Sequence, residues 1–539
     1  MTLRWASLLN MAAAALLAAA GSAWAAGPST ADHGKFKELQ GPFETGEQVT
    51  RACLGCHTEA AKQVMATSHW TWAYKHPTTG QQLGKRTMLN SFCIGNRSNE
   101  AFCQACHVGY GWKDASFDFS DPNKVDCLAC HHTGGYRKPP GMAGQVPTAR
   151  TELPPGSGQF VGPVDLARVA QRVGRTSNAS CGACHFFGGG GDGVKHGDLD
   201  SSLVRAGPAL DVHMAAKHKG GAGFPCATCH TSDGHKLSGS RFAMTAADPH
   251  GPALRGGDEA GRNAASCQSC HGDRPHREGL FDVQRLNHHS SKLACQACHV
   301  PRFARGGVAT KMAWDWSTAG RLSPEGKPMQ VKDAQGHVTY DSKKGDFVLG
   351  ENVVPQYRWF NGTVEYTLQT DRIDPSGLVQ INRFRGGPGD PASRIWPVKV
   401  FTGRQPYDVE HRQLLALHTA GADEDAFWLT FDWGRALTAG AKATGTPYSG
   451  RHDFVRTEML WPITHMVAPK AQTVKCGECH RSGGRMDGVP GLYVAGRDGN
   501  PWIDRLGWLA VAATLAGVGV HAAARVISAR RRGAGGHHG

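Results

Sequence analysis

Most cysteines of this chain stand in one repeated pattern, Cys-x-x-Cys-His. The 539 residues include 17 cysteines and 28 histidines, and sixteen of the cysteines fall in eight copies of the pattern. In such a copy the two thiols attach a haem covalently, and the adjoining histidine binds the iron as proximal ligand. Disulfides or zinc sites would not explain a histidine after every cysteine pair. The residues concerned are Cys53, Cys56 and His57; Cys103, Cys106 and His107; Cys127, Cys130 and His131; Cys181, Cys184 and His185; Cys226, Cys229 and His230; Cys267, Cys270 and His271; Cys295, Cys298 and His299; and Cys476, Cys479 and His480.

The segments that must position these motifs differ in composition. Residues 26–310 hold seven motifs, are rich in glycine and proline, and lack long hydrophobic periodicity. We therefore predict a mainly α fold with much irregular coil, in which short helices end at the motifs and the haem array supplies the buried apolar mass. Residues 311–470 have no motif and should wrap the array with a few short strands (338–340 and 347–349) and a helix over 410–418. Residues 471–500 carry the eighth motif and a linker.

Both ends of the chain predict export and attachment to a membrane. Residues 1–25 have a basic start, an apolar run and small residues for cleavage, which is typical of a signal peptide. Residues 506–524 are uncharged, long enough to cross a bilayer, and followed by four arginines. We predict a transmembrane anchor and basic cytoplasmic tail over 501–539, at the periplasmic face of the bacterial inner membrane; a buried helix is the alternative. His521 could pack or bind a b-type haem.

The formal charge of +14 at pH 7 would ordinarily suggest an anionic partner such as nucleic acid. Two propionates on each haem would offset this charge, and the chain carries no nucleic-acid-binding motif. We therefore predict no nucleic-acid partner.

A second histidine on an iron gives an electron-transferring haem, whereas catalysis needs one open or displaceable ligand position. More histidines remain than there are distal positions. His33 precedes the predicted folded part and is set aside. The candidate distal ligands are His69, His132, His213, His235, His276, His288 and His465. Their competitors are His76, His196, His218, His250, His289, His411, His418 and His452.

Cys93 is the one cysteine outside the motifs, so it has no partner for an intramolecular disulfide. An unpaired thiol in an oxidising compartment suggests a reactive role. A buried packing cysteine or a disulfide between two protomers would also account for it.

Over nearly the whole predicted mature chain, the sequence resembles the octahaem tetrathionate reductases. The resemblance rests on CIG at 93–95, CQACHVGYGW at 103–112, CLACHH at 127–132, CGACHFFGGGGDGVKH at 181–196, and WDWSTAG at 314–320. It implies that the haem on Cys103 and Cys106 is the active one, with Lys195 as its distal ligand and the Cys93 thiol beside it. Lys113 and Lys124 are other candidates for the lysine. The best-known family members are soluble, so the predicted anchor is a departure.

The resemblance implies an enzyme that reduces tetrathionate to thiosulfate, with nitrite or hydroxylamine as other possible substrates. Seven bis-histidine haems would carry electrons from a quinol-linked or b-type cytochrome donor in the membrane, and Arg97 could orient an anion. Two other functions fit the same residues. One is oxidation of a reduced sulfur or nitrogen compound, and the other is electron transfer without catalysis.

Overall fold

A computed structural model describes residues 31–92, 94–154, 157–242, 266–272, 274–279 and 281–534. The predicted signal peptide, Cys93, His250 and the last five residues lie outside the described residues. Within them the chain forms fourteen α-helices and nineteen strands, joined by turns and 3-10 segments.

The helices are mostly short. Four of them (α5, α7, α8 and α10) end at a motif histidine, as the sequence predicts. The helices are α1 (Gly46–Leu54), α2 (Ala60–Met65), α3 (Ser68–Thr71), α4 (Glu100–Cys103), α5 (Leu128–His131), α6 (Leu166–Gln171), α7 (Asn178–His185), α8 (Gln268–His271), α9 (Asp282–His289), α10 (Gln296–His299), α11 (Phe427–Thr430), α12 (Trp433–Thr444), α13 (Cys476–Cys479) and α14 (Pro501–Ala534).

The strands before residue 300 form two-stranded ladders, and most later strands join one sheet. The strands are β1 (Tyr74–Lys75), β2 (Gln82–Leu83), β3 (Leu89–Asn90), β4 (Ile94–Gly95), β5 (Thr151–Glu152), β6 (Phe160–Val161), β7 (Ser232–Asp233), β8 (Lys236–Leu237), β9 (Thr310–Asp315), β10 (Gln330–Lys332), β11 (Val338–Asp341), β12 (Gly345–Gly350), β13 (Gln356–Phe360), β14 (Val364–Tyr366), β15 (Val379–Gln380), β16 (Asn382–Phe384), β17 (Arg394–Asp408), β18 (Gln413–Leu414) and β19 (His452–Pro462).

The haem-free segment is more regular than the sequence predicts, because nine of its strands form one sheet. The order is β10-β11-β12-β9-β17-β19-β15, and β13 and β18 also pair with β17. The two long strands, β17 and β19, are antiparallel over eleven residue pairs. β9 runs parallel to β17 on its other side. Strands 338–340 and 347–349 are confirmed as parts of β11 and β12.

The helix predicted over 410–418 is wrong. The Asp408 carboxylate accepts hydrogen bonds from the backbone N–H groups of Glu410 and His411, at 2.9 and 2.7 Å. Arg412 follows with a φ of +55°, and β18 then pairs back onto β17. A side-chain-stabilised reversal therefore replaces the helix.

The sheet and the segment around residues 83–92 share the largest hydrophobic core. Phe92 is fully buried, and its ring centre lies 4.4 Å from that of Phe401 on β17 and 5.9 Å from that of Trp461 on β19. Burying these aromatic surfaces joins the haem-rich and haem-free segments at Phe92.

Helix α14 lies apart from this core. Among the described residues, α14 is the one helix that is long enough and apolar enough to cross a membrane. No part of its apolar stretch is buried against the rest of the protein. Trp502 and Trp508 are about three-quarters exposed at its N-terminal end. His521 lies on the same helix. An apolar helix without protein cover fits a membrane anchor.

Candidate functional site

Seven of the eight motif histidines face a second histidine across a nearly constant gap. The ring centres in these pairs lie 6.0 to 6.4 Å apart. Two metal–nitrogen bonds of about 2 Å each, with the distances from ring nitrogens to ring centres, account for such a gap. The residues therefore fit bis-histidine haems. The pairs are His57–His33, His185–His69, His131–His235, His271–His213, His230–His465, His299–His276 and His480–His289.

The structure brings five of the seven candidate distal histidines into these pairs: His69, His213, His235, His276 and His465. His33 and His289 complete the set. His33 does not precede the fold as the sequence predicts: it lies in a 3-10 turn, and its ring is 6.3 Å from that of His57.

Two candidates are not in such a pair. His132 lies 5.5 Å from the Tyr136 ring. His288 is on α9, where the adjacent His289 faces His480. Neighbouring residues on a helix point about 100° apart, so sequence adjacency alone does not choose between His288 and His289.

His107, the motif histidine of the second attachment site, differs from the others. Its Nε2 lies 2.7 Å from the Trp70 carbonyl oxygen, and its buried Nδ1 has no hydrogen-bond partner among the described residues. In His131, His230 and His480, it is Nδ1 that lies 2.9 to 3.0 Å from a carbonyl, which leaves Nε2 for a metal.

Aromatic rings surround His107 closely. Trp70, Trp72, Trp112 and Phe117 have ring centres 4.8 to 5.7 Å from its own. Burial lowers the pKa of His107 to about 3, so the imidazole is neutral at physiological pH. The ring nitrogens of His107 therefore do not face a second histidine across a gap, as those of the other seven motif histidines do.

Lys195 follows a glycine-rich turn after α7, and its charge acts on a cysteine of the second attachment site. Gly189, Gly190 and Gly193 have φ values of +84°, +88° and +65°, which side-chain-bearing residues rarely adopt. The Lys195 ammonium is 4.9 Å from the Trp461 ring centre and contributes electrostatically to lowering the pKa of the Cys106 thiol. The turn therefore places an amine near the second motif.

Two side chains of the sheet hold the backbone that carries Lys195. The fully buried Lys399, on β17, donates from Nζ to the carbonyls of Val194 and Lys195 at 2.9 and 3.0 Å. It also donates to Thr310 Oγ1, at 2.6 Å, and that hydroxyl donates to the Gly193 carbonyl at 2.8 Å. Three successive carbonyls are thus bound by neighbouring strands.

Trp461 forms the rest of this platform. It lies opposite Lys399 in the β17–β19 register and is 2% exposed. The His196 ring centre lies 4.7 Å from the Trp461 ring, and the Arg241 guanidinium 5.5 Å from it. The haem-free segment therefore supplies one wall of the Lys195 site, a role that the sequence pattern did not indicate.

The second motif lies in an electropositive region. The contact with the Cys184 thiol is the largest influence on the pKa of Cys106, which falls to about 6, and Lys85, Lys138 and Lys195 lower it further. Lys138 also forms a buried ion pair with Asp126, at 2.9 Å. Lysines near one site favour an anionic ligand. Arg97 instead donates to the Thr444 carbonyl, at 3.3 Å.

In the His230–His465 pair, a carboxylate lies behind the second histidine within hydrogen-bond distance. Asp198 Oδ2 lies 3.2 Å from His465 Nδ1 and accepts from the His465 backbone N–H at 3.0 Å. Burial opposes ionisation of Asp198, but its hydrogen bond with His465 brings the carboxyl pKa to about 2. An ionised carboxylate in this position orients the imidazole and raises its basicity as a ligand.

The chain is similar in structure to an octahaem cytochrome c from Shewanella oneidensis. The two share 39% identity with a TM-score of 0.72, over 86% of this chain and 97% of that one. Residues 311–483 match the family described as bacterial cytochrome c. A protein from Archaeoglobus fulgidus described as uncharacterized is 23% identical over 248 residues, which are 38% of this chain and 80% of the relative.

Proposed function

The chain belongs to the octahaem c-type cytochromes, with covalently bound haem c and a redox role, and we propose that it reduces small oxidised sulfur or nitrogen compounds at the Lys195 site. Tetrathionate is the first candidate substrate, and nitrite and hydroxylamine are the others. The seven histidine pairs would hold haems that only transfer electrons, since each iron would have two strong ligands.

The observation that carries this proposal is the difference between His107 and the other motif histidines. Seven of them face a second histidine, whereas the His107 Nε2 lies within hydrogen-bond distance of the Trp70 backbone carbonyl. We propose that Lys195 would bind the iron of the haem attached to Cys103 and Cys106 in place of His107, and not together with His107 as the resemblance implies. That iron would then have a position left for substrate.

This role requires Lys195 to be a neutral amine, because an ammonium has no lone pair for a metal. The positive charge of an iron and removal from water both favour deprotonation. The contacts of Lys399 and Thr310 with three carbonyls would keep the amine in position, so that little conformational entropy is lost when the amine binds an iron.

The charges around the site suit an anionic substrate. For tetrathionate, two electrons break the central S–S bond and release two thiosulfate ions, and no proton is consumed. Haem c supplies these electrons when bound. Lys85 would attract the dianion, and Cys93, which lies outside the described residues, is proposed to contact a substrate sulfur atom.

The same residues would support two other functions. Oxidation of a reduced sulfur or nitrogen compound is the same chemistry in the opposite direction. Electron transfer without catalysis would require a second strong ligand at the Lys195 haem.

We further propose that the chain is exported by residues 1–25 and anchored by α14 at the periplasmic face of the inner membrane. The arginines after residue 524 would stay on the cytoplasmic side. A quinol-linked or b-type cytochrome donor would supply the electrons. His521 remains a candidate for packing or for a b-type haem in such a partner.

Electron paramagnetic resonance of the oxidised holoprotein tests the ligand proposal. We expect seven bis-histidine signals and one haem that differs and that binds cyanide or nitrite. Lys195→Ala should make that haem high-spin and abolish turnover of the natural substrate. Lys113→Ala is the matched control and should leave both unchanged. Eight identical low-spin haems that bind no ligand would refute a catalytic function.

A substrate panel tests the reaction itself. Reduced viologen would supply electrons to the purified protein, and tetrathionate, nitrite, hydroxylamine and sulfite would be offered in turn. We expect the fastest oxidation of viologen with tetrathionate. If none of the four is reduced while thiosulfate or hydroxylamine reduces the haems, the protein works in the oxidative direction.

A further inference from the structure

The attachment motifs adjoin one another in a definite order through the described residues. The segment just before the eighth motif contacts the seventh motif through the backbone, where the Val474 N–H donates to the Cys298 carbonyl at 3.0 Å. In addition, cysteines of adjoining motifs contact each other or interact electrostatically. The pairs are Cys479 and Cys298, Cys295 and Cys267, Cys267 and Cys229, Cys226 and Cys181, Cys184 and Cys106, Cys181 and Cys130, and Cys127 and Cys53.

These contacts give a line with one branch. The eighth motif lies at one end and leads through the seventh, sixth and fifth to the fourth. From the fourth, one branch reaches the second motif and Lys195, and the other reaches the third and then the first. The eighth and first motifs are therefore the two ends farthest from each other along the line.

The eighth motif is at the surface and is packed against the chain that leads to α14. Cys476 and His480 are both exposed. His480 Nδ1 lies 2.9 Å from the Ala495 carbonyl oxygen. A Cβ on Gly496, whose φ is +85°, would lie 2.7 Å from the His480 carbonyl oxygen, so glycine is required for this close approach.

The connection from this contact to the helix is short and ordered. Arg497 donates to the Met486 carbonyl, at 2.6 Å, and Asp498 accepts from the Val494 N–H, at 2.7 Å. α14 begins at Pro501, six residues after Ala495. Six residues span at most about 20 Å. Wherever α14 enters a bilayer, the eighth motif must lie close to the membrane surface.

We propose that the haem of the eighth motif, held between His480 and His289, receives electrons from a quinol in the membrane. Each quinol becomes a quinone, releases two protons to the aqueous side, and reduces two ferric haems by one electron each. Four intermediate motifs then lead to the second motif. The proposal rests on the membrane anchor in the proposed function, but not on the identity of the substrate.

The test compares two neighbouring histidines of α9 in the full-length holoprotein. His289→Met alters the histidine that faces His480 at the eighth motif, and His288→Met is the matched change at a residue that faces no motif histidine. A methionine ligand raises the potential of a haem, so electrons held at the eighth haem would move on slowly. Haem content, and reduction by dithionite, should be normal in both variants.

Reduction would be followed by haem absorbance in two preparations. One is phosphatidylethanolamine and phosphatidylglycerol vesicles containing reduced duroquinone, and the other is inner-membrane vesicles supplied with NADH. We expect His289→Met to slow reduction at least tenfold, and His288→Met to leave it unchanged. A response in the second preparation alone would assign the quinol to a membrane protein beside α14.

Equal slowing in both variants, or no slowing in His289→Met, would overturn the proposal, as would a lack of reduction in both preparations. These outcomes are independent of the reaction at Lys195. Loss of activity in the substrate panel with normal quinol-driven reduction would refute the proposed reductase function and leave this proposal intact.

Discussion

Replacing Lys399 by methionine should make the position of Lys195 less well fixed without changing any haem-attachment motif. The variant removes the Lys399 ammonium, which donates to the carbonyls of both Val194 and Lys195. The Val194 carbonyl keeps the Thr310 hydroxyl as a donor, at 3.2 Å. A buried carbonyl that loses its donor costs about 1–3 kcal/mol. A loss of about 2 kcal/mol would raise the population with a displaced Lys195 about 30-fold.

Electron paramagnetic resonance and steady-state kinetics measure this effect. We expect the unusual haem signal of Lys399→Met to become heterogeneous, with a lower kcat and eight haems still attached. Lys399→Arg, which keeps donors at this position, should restore part of the signal. Lys311→Met is the control, because the buried Lys311 lies over the Trp314 and Phe347 rings.

The result that would refute this reasoning is a Lys399→Met protein with lowered thermal stability but unchanged spectrum and kinetics. Lys399 would then stabilise the fold only, and the position of Lys195 would depend on the glycine-rich turn.

Four further outcomes are expected. Asp198→Asn should raise the reduction potential of the haem held by His230 and His465, because a negative charge behind the ligand is lost; redox titration would reveal one shifted haem, and an unshifted set would contradict this. The pKa of the Asp198 carboxyl is about 2, so the contribution of this group to stability is present above about pH 4 and is lost only as the pH falls toward 2. Because Asp198 stays ionised between pH 5 and 8, it should cause no pH dependence in the reduction potential of the haem held by His230 and His465 over that range. Cys93→Ser should spare haem content and nitrite reduction but lower tetrathionate turnover, and an equal loss with both substrates would argue for a packing role. Deleting residues 499–539 should release the protein from membranes in a fractionation assay while activity with reduced viologen is retained.

The sequence was sufficient to predict the features that depend only on the spacing of neighbouring residues. The haem attachment cysteines and adjoining histidines are recognisable because the chemistry is confined to five consecutive residues. The apolar C-terminal helix was predicted for the same reason, since its length and composition are local properties. Short helices ending at motif histidines also follow from local geometry.

The second histidine of each pair could be predicted only in part. His33 and His289 are brought to His57 and His480 by folding, and no local signal separates His289 from His288. The nine-stranded sheet was underestimated because its strands are stabilised by pairing between distant residues, as in the β17–β19 ladder. The turn at Asp408 replaced a predicted helix through side-chain hydrogen bonds that the apolar pattern does not encode.

By itself, the sequence determined the cofactor, because covalent attachment depends on residues next to each other in the chain. Only the tertiary structure decided the environment of each motif histidine. It joined His107 to the Trp70 carbonyl, placed Lys195 near Cys106, and bound the Lys195 turn to Lys399, 204 residues later in the chain. Whether a ring nitrogen is left for a metal depends on what packs against it, and that packing is set by contacts between residues far apart in sequence.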